Sequence, residues 1–165
     1  MKTLAKSMRC AAFAAAAIGI VNVAMAANWY VDASRPDDSG DGTSAATAKK
    51  YIQSAIDLTG SGDTVYVAPG RYNSGNMTCA FNAATARVVI TNKINLVATG
   101  KKDETFIDGG EEMRCIYVYY NSSSTPAYTK ANGTVIRGFT ICNGKVTGSS
   151  DYGGGAYIPE SYLID

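Results

Sequence analysis

The chain is punctuated by short runs of β-branched and aromatic residues, each followed within a few positions by a corner. The clearest is Gly62-Asp63-Thr64-Val65-Tyr66-Val67-Ala68-Pro69-Gly70-Arg71-Tyr72. Thr64 to Val67 suit a pleated, half-buried surface. Val65 and Val67 fall on one face of such a strand, Thr64 and Tyr66 on the other. A Gly62-Asp63 turn leads in. At the exit, Pro69 fixes φ and Gly70 is expected to take the positive φ of a type II turn.

Similar runs recur at Trp29 to Asp32, Arg87 to Thr91, Ile94 to Val97, Thr105 to Ile107 and Cys115 to Tyr119. Further on they appear at Thr134 to Ile136, Phe139 to Ile141, Ala156 to Ile158 and Tyr162 to Ile164. Most are followed by Gly or Asn. Strands this short, with corners this frequent, fit a hairpin sandwich poorly.

The period changes once. Over residues 47–58, Ala48, Tyr51, Ile52, Ala55, Ile56 and Leu58 fall close to helical spacing, with Lys49, Lys50, Gln53 and Asp57 opposite. The pattern predicts an amphipathic helix over 47–58, capped by Thr47 and ended by Gly60 or Gly62. A single early helix cannot supply the crossovers of βαβ units. Residues 33–44 and 73–86, polar and rich in small residues, read as loops.

Short strands separated by bends suit a parallel β-solenoid, with apolar side chains inward and Gly or Asn at the corners. Thr134-Val135-Ile136-Arg137-Gly138 echoes Thr105-Phe106-Ile107-Asp108-Gly109, 29 residues earlier. Tyr162-Leu163-Ile164-Asp165 reads as another copy, 28 residues after Thr134. A solenoid end needs a cap. The helix can cap one end, and the sequence is therefore expected to be the N-terminal part of a longer protein.

Residues 1–26 have the layout of a secretory signal. Lys2, Lys6 and Arg9 precede an apolar stretch from Cys10 to Val23, and Ala24-Met25-Ala26 forms a small-x-small cleavage site. The apolar stretch is shorter than the roughly 20 residues a spanning helix needs. The mature chain is expected to begin at Ala27, comprise one domain over 27–165, and be secreted or held at the cell surface. Losing three of 15 basic residues leaves 12 against 14 acidic ones, a net charge of −2. With no basic cluster, nucleic acid is a poor partner. The absence of His excludes His-dependent triads and His-ligated metals. Cys79, Cys115 and Cys142 remain, as one disulfide plus a thiol or as three buried thiols.

The order of Trp29-Tyr30-Val31-Asp32, Gly40-Asp41-Gly42-Thr43-Ser44, Tyr51-Ile52-Gln53-Ser54-Ala55-Ile56 and Gly62 to Tyr72 is distinctive. Ile136-Arg137-Gly138-Phe139-Thr140-Ile141-Cys142-Asn143-Gly144 and Gly153-Gly154-Gly155-Ala156-Tyr157 follow. Together these resemble the N-terminal part of bacterial right-handed parallel β-helix proteins of the pectin-lyase-like superfamily, and more closely its large secreted, repeat-bearing surface proteins. The resemblance implies an all-β, right-handed parallel β-helix with an N-terminal capping helix. It also implies a corner at Asn143, held by a ladder of Asn side chains or by tolerance of left-handed φ. Gly62, Asp63, Pro69 and Gly70 would be structural.

Three features bear on function. Asp37, Asp38 and Asp41 lie on one Gly-containing loop and could supply oxygens to Ca²⁺, or form a solvated turn that orients the helix. Tyr117, Tyr119 and Tyr120 cluster, and exposed rings there could stack on sugars; core packing would use them equally well. Lyases of the resembled superfamily pair Ca²⁺-binding acids with an Arg or Lys base, and its glycosidases use clustered Asp. Asp108, Arg114, Arg137 and Asp151 are of the right types, with Asp108 and Arg137 at equivalent repeat positions. No catalytic motif matches residue by residue, so no catalytic residue is carried over. The expectation is a secreted or surface scaffold, adhesin-like or polysaccharide-contacting, without its own active site in this stretch. The alternative is the leading part of a polysaccharide lyase or glycosidase whose catalytic coils lie beyond Asp165.

Overall fold

The computed structural model describes residues 25–79, 84–119, 131–146 and 153–159, with the backbone of 162–164. Three sheets organise the described strands. The first is built from β1 (Asn28–Val31), β2 (Thr64–Val67), β6 (Asn95–Ala98), β9 (Val135–Arg137) and β12 (Tyr162–Ile164), in that spatial order. The second holds β3 (Gly70–Tyr72), β7 (Thr105–Asp108) and β10 (Thr140–Cys142). The third holds β4 (Met77–Thr78), β5 (Thr85–Ile90), β8 (Arg114–Val118) and β11 (Ala156–Tyr157). From β2 onward the chain visits first, second and third sheet in an unvarying cycle. Every pairing is parallel except the β4–β5 hairpin.

The register puts like with like. Val65 lies beside Leu96, and Leu96 beside Ile136, all three fully buried. Tyr72 adjoins Ile107 in the second sheet, and Val88 adjoins Ile116 in the third. These columns meet in one core that draws residues from all three sheets. Fully burying a side chain of this size contributes about 1.5–3 kcal/mol. Thr64–Val67 shows the expected alternation, valines in and Thr64 and Tyr66 half-out.

The helix is shorter than its periodicity predicts. α1 spans Ile52–Ile56, and Ala45–Thr47 forms a separate 3-10 turn capped by Ser44. Between them the backbone is extended because Lys49 bridges Val31 in parallel. Lys49 N donates to Tyr30 O at 2.9 Å, and Asp32 N to Lys49 O at 2.8 Å. Edge pairing with β1 has overridden the helical period. α1 still plugs the core with Ile52, Ala55 and Ile56.

Three other expectations change. Gly70 has φ +157°, far from the type II value near +80°, and starts β3 instead of closing a turn. Residues 73–86 include a strand, β4, which with Cys79 and Ala86 forms a second apolar cluster over the third sheet. The 29-residue echo is not a structural equivalence: Thr105 to Asp108 belongs to the second sheet and Val135 to Arg137 to the first. True neighbours are Asn95 and Val135, 40 residues apart, and Val135 and Tyr162, 27 apart. Unequal loops at the corners absorb the difference. No helix among the described residues is long and apolar enough to cross a membrane.

Candidate functional site

The outer face of the first sheet carries two rows of side chains, because alternate residues of each strand point away from the core. One row runs Asn28, Thr64, Asn95, Val135; the other runs Tyr30, Tyr66, Val97, Arg137. The Tyr30 and Tyr66 rings stack, with centroids 5.6 Å apart and planes 30° apart. Asn95 Nδ2 donates to Thr64 Oγ1 at 3.3 Å. Thr64, Tyr66, Asn95, Val97, Val135 and Arg137 line a shallow depression of about 190 Å³. No acidic side chain lines it, and Arg137 is exposed, with no hydrogen-bond or ion-pair partner among the described residues. An aromatic platform, a hydroxyl–amide pair and an uncompensated cation thus share one open face.

The sequence offered no direct pointer to this face. Tyr30 and Tyr66 sit in different motifs 36 residues apart, and only the parallel register of β1 on β2 brings them together. The tyrosines singled out from the sequence lie elsewhere. Tyr117 and Tyr119 are 6% and 8% exposed, packed with Cys79, Ala86 and Val89 in the second apolar cluster. They therefore offer no ring face to a sugar. Tyr157 stacks on Tyr117 at 5.2 Å between centroids. Tyr120 lies outside the described residues.

The three aspartates of the early loop do not converge on a cation. Asp37 Oδ1 accepts from Ser39 N at 2.9 Å. Asp38 Oδ1 accepts from Lys50 N and Tyr51 N, at 2.7 and 3.2 Å, and so caps the start of α1 from a distance. Asp41 Oδ1 accepts from Thr43 N, Thr43 Oγ1 and Thr47 Oγ1. The Thr47 hydroxyl, with the Thr43 donors, brings the Asp41 carboxyl down to about 2. Each carboxylate is taken up by its own set of protein donors. Among the described residues no group of three or more His, Cys, Asp or Glu could hold a metal. The hydrogen bonds of the three aspartates fit the turn that orients the helix.

Asp108, Arg114 and Arg137 are not gathered into one site either. Arg137 stands on the first sheet, Arg114 is buried in the third, and Asp151 is outside the described residues. Asp108 is held in a structural knot. Its carboxylate pairs with Arg71 and accepts Gly110 N at 2.8 Å and Asn143 Nδ2 at 3.0 Å. The Gly110 N–H, aided by Arg71 and Asn143, outweighs desolvation and keeps the carboxyl below its ordinary value. The Arg71 guanidinium lies over the Phe106 ring, 4.8 Å from its centroid.

Asn143 does sit at a corner with left-handed φ, +51°, and its amide bonds Asp108 rather than another Asn. Beside it the backbones crowd: a Cβ on Gly109 would come 2.6 Å from Asn143 O, and one on Gly144 would collide with Gly154 O. Gly62 has φ +96°, and its N–H donates to Lys93 O. Asp63 is buried and accepts from Ala27 N, Trp29 Nε1 and Gly60 N. Pro69 lies at the bend between β2 and β3. The three cysteines are free thiols, Cys79 and Cys115 buried and Cys142 half-buried; burial pushes the Cys115 thiol up. Compared with known proteins, the chain matches no family model, no curated protein and no solved structure.

Proposed function

We propose that the chain is a secreted or cell-surface parallel β-helix scaffold, adhesin-like, that contacts polysaccharide through the outer face of its first sheet. The fold reading is supported by the unvarying cycle through three parallel sheets around one core. Each return to a sheet is a parallel crossover, and such crossovers are right-handed in about 98% of cases. The export reading is supported by the signal-like layout of residues 1–26.

The observation that carries the binding reading is the stacked Tyr30–Tyr66 pair beside Thr64, Asn95 and Arg137. Aromatic faces take the apolar C–H face of a sugar ring, while hydroxyl and amide groups take its hydroxyls. Arg137, with no acid beside it among the described residues, favours a chain carrying carboxylate or sulfate. The test is affinity electrophoresis through gels cast with neutral or polyanionic polysaccharides. Wild-type protein is expected to be retarded, most by a polyanion, and Tyr66→Ala to bind roughly three- to tenfold more weakly. Equal migration in every gel would contradict the proposal.

A further inference from the structure

Two unrelated observations meet at Ala27. The sequence places a small-x-small cleavage site at Ala24-Met25-Ala26, so hydrolysis there leaves Ala27 as the first residue. Among the described residues, the first anchoring contact falls on the same residue. Ala27 N lies 2.7 Å from Asp63 Oδ1, and Thr64 N donates to Ala27 O at 2.9 Å. The two residues before it are exposed, Met25 at 88%.

Asp63 combines burial with the lack of a cationic partner among the described residues. It is 7% exposed, and the groups facing it are the Trp29 indole N–H at 2.9 Å and the Ala27 and Gly60 N–H groups. No Lys, Arg or second carboxylate acts on it among the described residues. Burial works against its charge, yet the Trp29, Ala27 and Gly60 N–H donors outweigh burial and hold the carboxyl below its ordinary value. Asp63 is thus an anion with hydrogen bonds and no cationic partner among the described residues. It stands where a new positive charge would appear.

We infer that Ala26–Ala27 is a processing site and that cleavage creates an ion pair between the new α-ammonium of Ala27 and the waiting carboxylate of Asp63. The step is a hydrolysis by a signal peptidase. Water adds across the Ala26–Ala27 peptide bond, Ala26 departs with a carboxylate, and the Ala27 nitrogen takes up protons to become an ammonium. A bond charged only on its acceptor side becomes an ion pair charged on both sides. Asp63 closes the turn before β2, and Ala27 leads into β1, so the pair fastens the outermost strand of the first sheet to its neighbour. Removal of the leader would thus tighten the fold at the edge where the leader had been attached. The inference rests on the export reading above.

The test expresses the full-length chain in an exporting bacterium and recovers the processed protein. N-terminal sequencing is expected to begin at Ala27. The α-amine is then titrated by its reactivity toward an acylating reagent, read by peptide mapping, in the native and the urea-unfolded protein. An unperturbed α-amine titrates near 8. The native one is expected at least one pH unit higher, hence about tenfold less reactive at pH 7, and Asp63→Asn is expected to abolish the difference. Because an ammonium is favoured in the fold, the added stability is complete below pH 8 for as long as Asp63 stays ionised, and is lost as pH rises through the native amine value. A chain retained with its leader intact would overturn the export reading and this inference with it. Processing at another bond, or at Ala27 with native and unfolded amines titrating together, would overturn the inference alone. If Asp63→Asn does not fold, the wild-type titration decides.

Discussion

Asp108 shows how little of a residue's role its type reveals. From the sequence it was a candidate acid at a repeat corner; in the fold it holds Arg71, Gly110 N and Asn143 together. Removing the carboxylate strands these donors, Gly110 N and the Asn143 amide among them. Asp108→Ala is therefore expected to cost about 1–3 kcal/mol in urea denaturation at pH 7. Its carboxyl lies below the ordinary value in the folded chain. The stability it lends is present above the unfolded value near 4 and lost as pH falls through the lower folded value. The variant should thus lose less stability than wild type between pH 6 and pH 3. Equal acid sensitivity in the two proteins would assign the effect to other carboxylates. Tyrosine fared similarly. Alternation along Thr64–Val67 put Tyr66 outward correctly, while Tyr117 and Tyr119, outward by the same rule, are covered by the β4 hairpin. A local rule gives the face of a strand, and only tertiary packing says what lies against that face.

Among elements, the strands were legible because β-branched runs end at Gly, Asn or Pro. Two were not. β3 begins at a glycine after proline, which reads as a turn, and β4 is two residues long. The helix was legible as apolar spacing, yet residues 48–51 are extended because Lys49 pairs with β1. α1 contributes more than its buried face. Gln53 is buried, and its Nε2 donates to Val89 O at 3.2 Å while its Oε1 accepts from Val89 N at 2.8 Å. One side chain thus stands in for a neighbouring strand and closes the edge of β5, a place where unpaired backbone invites association. Gln53→Leu keeps the volume and removes both bonds to Val89, together with the Nε2 donation to Asp57 Oδ1 at 2.8 Å. It is expected to destabilise by about 1–3 kcal/mol per stranded backbone group, read by thermal or urea unfolding. A variant as stable as wild type would show that water or a shifted β4 serves Val89 equally well.

At the scale of the whole molecule, the parallel stacking was legible from the recurrence of short strands, but its register was not. The matching motifs at Thr105 and Thr134 fall in different sheets, because corners of unequal length decide which strand meets which. The candidate face shares that limit: Tyr30, Tyr66, Val97 and Arg137 form a row only once register is fixed. Core, capped end and open face therefore rest on one claim, that Val65, Leu96 and Ile136 lie side by side in parallel strands. Inter-strand nuclear Overhauser effects in the isotope-labelled protein test it directly. Amide-to-Hα contacts are expected to link the strand around Val65 to that around Leu96, and Leu96 to Ile136. Close Hα–Hα contacts between those strands, the mark of antiparallel pairing, would contradict it.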